Sequence, residues 1–171
     1  MSNKYPSNLF NGEELLSQMR ERFQAWAAAG YPGCDSILRG VLPTLNSNPN
    51  VVTVFGCQGH FSCEPECDDA QSNRFYLMFV TNERGIDQMF TMHSELLRVC
   101  EGLEDRCGVE LAFGHSGDIF KMDNESTYPS IILDCLLDDA EHRSRFFSNL
   151  MTAAIQCGHF VHIQDEAHHV Q

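Results

Sequence analysis

Phe75-Tyr-Leu-Met-Phe-Val80 is the longest unbroken apolar run in the chain. A helix needs about 20 such residues to cross a bilayer, so this run is far too short to span one. It is apolar at every position, the pattern of a strand buried on both faces at the middle of a sheet. Just upstream, Val51-Val-Thr-Val-Phe55 is β-branched and closed by Gly56, which reads as a second buried strand. Cys57 to Asn73 between them reads as loop without a crossover helix, so the two strands are expected to pair antiparallel. Downstream, Ile86, Met89, Phe90, His93, Leu96, Leu97 and Cys100 fall near one stripe of a helix from about Glu83 to Glu101, ended by Gly102 or Gly108. His93, beside that stripe, reads as a histidine satisfied within the fold.

A third strand follows at Val109–Phe113, then a long polar loop over Gly114–Pro129. Ser130–Leu137 is a fourth strand, apolar apart from Asp134. Asp138 or Asp139 caps a last helix running to about Gln156, with Phe146, Phe147, Leu150, Met151, Ala154 and Ile155 inside and Gly158 at its end. Before the first strand lie two helices. Glu13–Ala28 places Leu15, Leu16, Met19, Phe23 and Trp26 on one face, and Gly30, Pro32 and Gly33 end it. Asp35 caps the second, whose apolar side is Ile37, Leu38, Val41, Leu42 and Leu45, with Pro43 shortening it. Residues 1–11 read as a polar lead-in and 159–171 as a loose tail.

The order is thus two helices followed by ββαββα, an α/β (α+β) chain forming one domain over 1–171. A strand–helix–strand unit favours a right-handed crossover between parallel strands. The expectation is a mixed four-stranded sheet packed with helices, a circular permutation of the ferredoxin-like sandwich. In that topology the loop after Phe55 emerges at the edge where the second and third strands begin, beside Cys107, Cys135 and His142. The loop after Phe113 emerges at the opposite edge, with Glu83, His159 and His162.

The composition bounds the partners. The chain has 171 residues, 24 acidic against 11 basic, for a formal net charge of -13. Such a surface repels a phosphate backbone and anionic membranes, and attracts a cation or a basic partner. Eight cysteines without a signal-peptide pattern point to a reducing, cytoplasmic compartment, with thiols or metal ligands rather than a disulfide framework.

Cys57-Gln-Gly-His60-Phe-Ser-Cys63-Glu-Pro-Glu-Cys67 places four soft ligands within one loop. Short spacings of this kind let a loop wrap a tetrahedral zinc, with Gly56 and Gly59 permitting the turns. Cys57, His60, Cys63 and Cys67 are the candidate metal ligands, and His142 or Cys135 would complete a partial set. The alternative is a loop of uncoordinated thiols. Iron–sulfur ligation fits less well, because such clusters want cysteine almost exclusively. Without a metal, Gly56, Cys57, Gly59 and His60 form a candidate ligand-binding turn, in which backbone N–H groups meet an anion or a thiol stands beside an imidazole base. A second candidate site gathers His115 and Asp118 in Gly114-His-Ser-Gly-Asp118 with His159 and His162, residue types that bind metal or exchange protons. Polar turn chemistry accounts for the same loop without any function. Phosphate-loop, dinucleotide, nucleophile-elbow and zinc-deaminase signatures are all missing.

Val51-Val-Thr-Val-Phe-Gly-Cys-Gln-Gly-His60 followed by Arg74-Phe-Tyr-Leu-Met-Phe-Val80 resembles small uncharacterised bacteriophage-encoded proteins, in which a strand leads into Ser-Cys-x-Gly-His and a second apolar strand. Gly56 stands here in place of the Ser. A fainter similarity is to the wybutosine tRNA-modification proteins, whose strand ends in Ser-Cys-Ser-Gly-Arg; His60 stands at that Arg. The resemblance implies a phage-type accessory protein of the bacterial host cytoplasm. Combined with the acidic surface, the expected function is binding of a host protein or a small ligand, with a structural zinc in the Cys57–Cys67 loop. The alternative is a small enzyme acting on a nucleotide or RNA through the Gly56–His60 turn.

Overall fold

The computed structural model describes residues 4–59, 61, 73–101, 108–115 and 128–163. Its elements are α1 (Glu13–Ala28), α2 (Ser36–Leu45), β1 (Val51–Cys57), β2 (Arg74–Thr81), α3 (Glu83–Glu101), β3 (Glu110–His115), β4 (Pro129–Leu136) and α4 (Ala140–Gln156). Two helices followed by ββαββα is the order expected from sequence, and the class is α+β.

The four strands form one sheet in the order β1-β2-β4-β3. β1 and β2 are antiparallel neighbours, and β2 is central. The expected parallel pair is absent: every neighbouring pair is antiparallel. β2 and β3 do run the same way across α3, but β4 inserts between them. A hairpin-like return from β3 lets β4 bond on both sides, so the crossover is split and the sheet is not mixed. This strand order is that of the permuted ferredoxin-like sandwich. The directions put the ends of β1 and β4 and the starts of β2 and β3 at one edge. The starts of β4 and α3 and the ends of β3 and α4 lie at the other.

Strand periodicity divides the core into two layers. On one face Phe75, Leu77 and Phe79 of β2 and Ile131, Leu133 and Cys135 of β4 meet Ile86, Met89, Met92 and Leu96 of α3 and Phe146, Phe147 and Leu150 of α4. Phe75 lies 4.7 Å from Phe146 and 5.2 Å from Phe147, ring centroid to centroid. The buried stripe of α3 includes Met92 and leaves Phe90 exposed, where it packs edge-on against Phe113 at 5.9 Å. On the other face Val52 and Val80, cross-strand partners, pack under Leu16 and Met19 of α1.

The described segments before α1 and after α4 are bonded to the rest of the fold. The Asn11 side chain donates to the Pro129 carbonyl at 2.8 Å, and the Asn11 backbone N–H donates to the Thr81 carbonyl at 2.8 Å. After α4, residues 159–163 run back along the end of α2. Phe160 is buried, and the N–H groups of Val161 and Ile163 donate to Ser47 Oγ and Thr44 Oγ1.

Candidate functional site

β1 is an edge strand, and an edge strand leaves backbone groups that must be capped or covered. Side chains from the two N-terminal helices do this at both ends of β1. Arg20 of α1 reaches across and donates to the carbonyls of Asn46 (3.1 Å), Asn48 (2.9 Å) and Val51 (3.0 Å). Burial lowers the pKa of its guanidinium from the usual value, yet arginine stays protonated. Asn46, at the end of α2, accepts from the Thr53 N–H at 2.8 Å and donates to Thr53 Oγ1 at 3.1 Å. At the far end a reciprocal clasp joins α2 to the residue after β1. Asp35 Oδ2 accepts from the Gln58 N–H at 3.0 Å, and Gln58 Oε1 accepts from the Ile37 N–H at 3.2 Å. Asp35 thus holds the N-cap position of α2 without capping it by its side chain. Its carboxylate goes to β1, and Gln58 takes the orphan donor of the helix instead.

Between these ties β1 is bulged: its register with β2 shifts between Thr53 and Phe55. A cavity of about 440 Å³ opens there, roofed by α1 and α2 and floored by the bulge. α1 contributes Met19, Arg22, Phe23 and Trp26, spaced as one helical stripe. The α1–α2 turn and α2 contribute Cys34, Asp35, Leu38 and Leu42, and the sheet contributes Val54, Phe55, Gly56 and Leu77. Tyr128, just before β4, closes the far wall. The volume lies within the range of about 300–1,000 Å³ typical of small-molecule sites, and an apolar, aromatic lining with a few polar groups is what such sites present.

The turn after α1 fixes the aromatic wall. Gly30 and Gly33 take left-handed φ of 80° and 71°, and between them Tyr31 does so at 55°. Tyr31 is thereby turned onto Trp26, ring to ring at 5.1 Å and 89°. Trp26 Nε1 donates to the Pro32 carbonyl at 3.0 Å, so the indole is held at both its face and its polar atom. A Cβ at Gly56 would displace the Leu77 side chain and press on the Tyr76 carbonyl oxygen at 3.3 Å. Burial, with the Asp35 carboxylate beside it, pushes the Cys34 thiol up, so the cavity presents a neutral thiol and not a thiolate.

Of the residues singled out by sequence, Gly56 lines this cavity. Cys57 is the last residue of β1, opposite Tyr76; the strand runs two residues further than the apolar pattern suggests because β2 is long enough to pair with it. Gly59 has φ +79°, and its carbonyl accepts from Arg143 Nη1 at 2.7 Å; that guanidinium also lies 5.2 Å from the Phe61 ring centroid. His60, Cys63 and Cys67 lie outside the described residues, as do Cys107 and Asp118. The two spare ligands are engaged in the fold. His142 Nδ1 accepts from the Asp138 N–H at 3.1 Å, and the Cys135 thiol donates to the Leu136 carbonyl at 3.3 Å, its pKa pushed by burial to about 12. Among the described residues no group of three or more His, Cys, Asp or Glu converges to hold a metal. No disulfide joins the described cysteines Cys34, Cys57, Cys100, Cys135 and Cys157.

His115 ends β3, the strand at the opposite side of the sheet from β1. His159 and His162 are exposed on the segment bonded to the end of α2, on the β1 side. The structure therefore does not bring these three together. His93 is satisfied, its Nε2 3.0 Å from the Val109 carbonyl. What sequence reasoning missed is the α1 wall, which reads as an ordinary core stripe. Its signal is Arg22, a charge set between Met19 and Trp26 at helical spacing. Comparison with protein-family models, curated proteins and solved structures finds no match.

Proposed function

We propose that this protein binds a small, largely apolar molecule between α1, α2 and the bulged stretch of β1. The observation that carries the reading is the cavity itself. It is lined by Phe23, Trp26, Phe55 and Tyr128 and opens where the two sets of polar ties leave β1 uncapped by α1 and α2. The reading takes the small-ligand branch of the expectation from sequence and needs no reactive group.

Titration with the fluorescent probe 1-anilinonaphthalene-8-sulfonate tests it. One probe is expected per chain, and its emission should be sensitised by Trp26, the single tryptophan. Val54→Phe adds volume at the floor of the cavity and should abolish binding with the melting temperature retained. A Val54→Phe protein that melts normally and binds the probe as the unsubstituted chain does would refute the site.

A further inference from the structure

We infer that the molecule bound in this cavity is an aromatic acid, its ring among the aromatic side chains and its carboxylate on Arg22. The inference rests on the cavity being the ligand site and adds the chemical class of the ligand. Arg22 is the cation of the lining, exposed at the mouth, one turn from Trp26 on α1. Two exposed helix arginines elsewhere in this protein are neutralised on their own helix. Arg98 pairs with Glu95 at 2.8 Å, and Arg145 with Glu141 at 2.7 Å, three and four residues back. Arg22 has no such neighbour, since its i±3 and i±4 positions are Gln18, Met19, Ala25 and Trp26. Among the described residues it makes no ion pair and no side-chain hydrogen bond. Its near neighbour Arg20 is committed to three backbone carbonyls.

The acid of the lining is Asp35, and it is already in use. Its carboxylate accepts from Gln58 and holds α2 against β1. An ammonium ligand drawn to Asp35 would compete with that clasp, whereas a carboxylate on Arg22 competes with nothing described. A planar guanidinium also matches a carboxylate with two parallel hydrogen bonds. The net charge of -13 opposes anions in general. Its reach is limited to a Debye length of about 8 Å at physiological salt, while a carboxylate on Arg22 would be in direct contact. An anion is therefore held here only through Arg22, which makes that residue the test.

Calorimetric titration with 2-naphthoate, its neutral isostere 2-naphthamide and the cation 2-naphthamidine separates the possibilities. The expected order is naphthoate tightest, naphthamide weaker and naphthamidine weakest. Arg22→Gln should lower naphthoate affinity at least about tenfold, the scale of hydrogen bonds to a charged group, and naphthamide affinity by clearly less. Equal affinity for acid and amide, or an Arg22→Gln protein that still prefers the acid, overturns the acid class while leaving the cavity as the site. Tightest binding of naphthamidine overturns it in favour of Asp35. No binding of any of the three to correctly folded protein overturns the acid class and the cavity reading together.

Discussion

A methyl group at Gly85 would overlap the Asn50 carbonyl oxygen and meet Thr81 Cβ at 2.9 Å. Neither neighbour can yield, because the Asn82 side chain bridges this corner. Its Oδ1 accepts from the Gly85 N–H at 2.9 Å, and its Nδ2 donates to Asn50 Oδ1 at 2.9 Å and to Glu13 Oε1 at 2.8 Å. Gly85→Ala is expected to cost about 2 kcal/mol, the scale of overpacking in a closed site, read by urea denaturation. An unchanged midpoint would show that the corner opens freely. Close by, Lys4 and the Tyr5 hydroxyl both donate to Asp87 Oδ1 at 2.6 Å, which holds that carboxyl below its ordinary range and raises both partners. The signs follow. The depressed Asp87 contributes stability above the ordinary carboxylate pKa and loses it as pH falls through the lowered value. The raised Tyr5 contributes below its ordinary 10.0 and loses it as pH rises through the folded value. Ring proton resonances of Tyr5 should titrate above 10.0 in the unsubstituted chain and move back toward it in Asp87→Asn. Identical titrations would place no hydrogen bond there. None of these close approaches is written in the sequence, which shows that Gly85 and Asp87 exist but not that Asn50 and Lys4 will reach them.

At the level of elements, apolar periodicity located each described helix and strand because each buries its own stripe. It could not say that β4 pairs between β2 and β3, since a strand buried on both faces looks alike beside any neighbour. Nor could it place α1 and α2 on either side of the β1 edge. That depends on Arg20, Asn46 and Asp35 bonding to backbone, and polar side chains carry no periodicity. The site was legible in part for the same reason: Gly56 stood out at the strand end, while the aromatic wall of α1 was indistinguishable from core. Two caps test the element energetics. The Asp139 carboxylate accepts from the His142 N–H at 2.7 Å at the start of α4, so Asp139→Ala should cost about 1 kcal/mol. Asn46→Ala should cost more, about 2 kcal/mol, because it leaves the Thr53 N–H and hydroxyl, both in a buried residue, without the Asn46 amide. Paired chemical-denaturation curves compare them, and a larger loss at Asp139 would show that the β1 edge is not held by Asn46.

For the molecule as a whole, the sheet carries helices α2, α3 and α4 on one face and α1 on the other, and the α1–α2 pair straddles the β1 edge like a jaw. No described helix is long and apolar enough to cross a membrane. A ligand between α1 and α2 binds the folded chain and not the unfolded one, so it should raise stability by about 2.7 kcal/mol at a hundredfold excess over its Kd. It should also slow local opening of that jaw more than of the rest, since opening there requires the ligand to leave. Hydrogen exchange with and without saturating 1-anilinonaphthalene-8-sulfonate reads this directly. Slower exchange is predicted over Met19–Trp26, Cys34–Leu42 and Thr53–Gly56, the segments that line the cavity, with no extra slowing at Glu110–His115 of β3. Slowing centred on β3, or spread evenly over the sheet, would contradict a binding site between α1, α2 and β1.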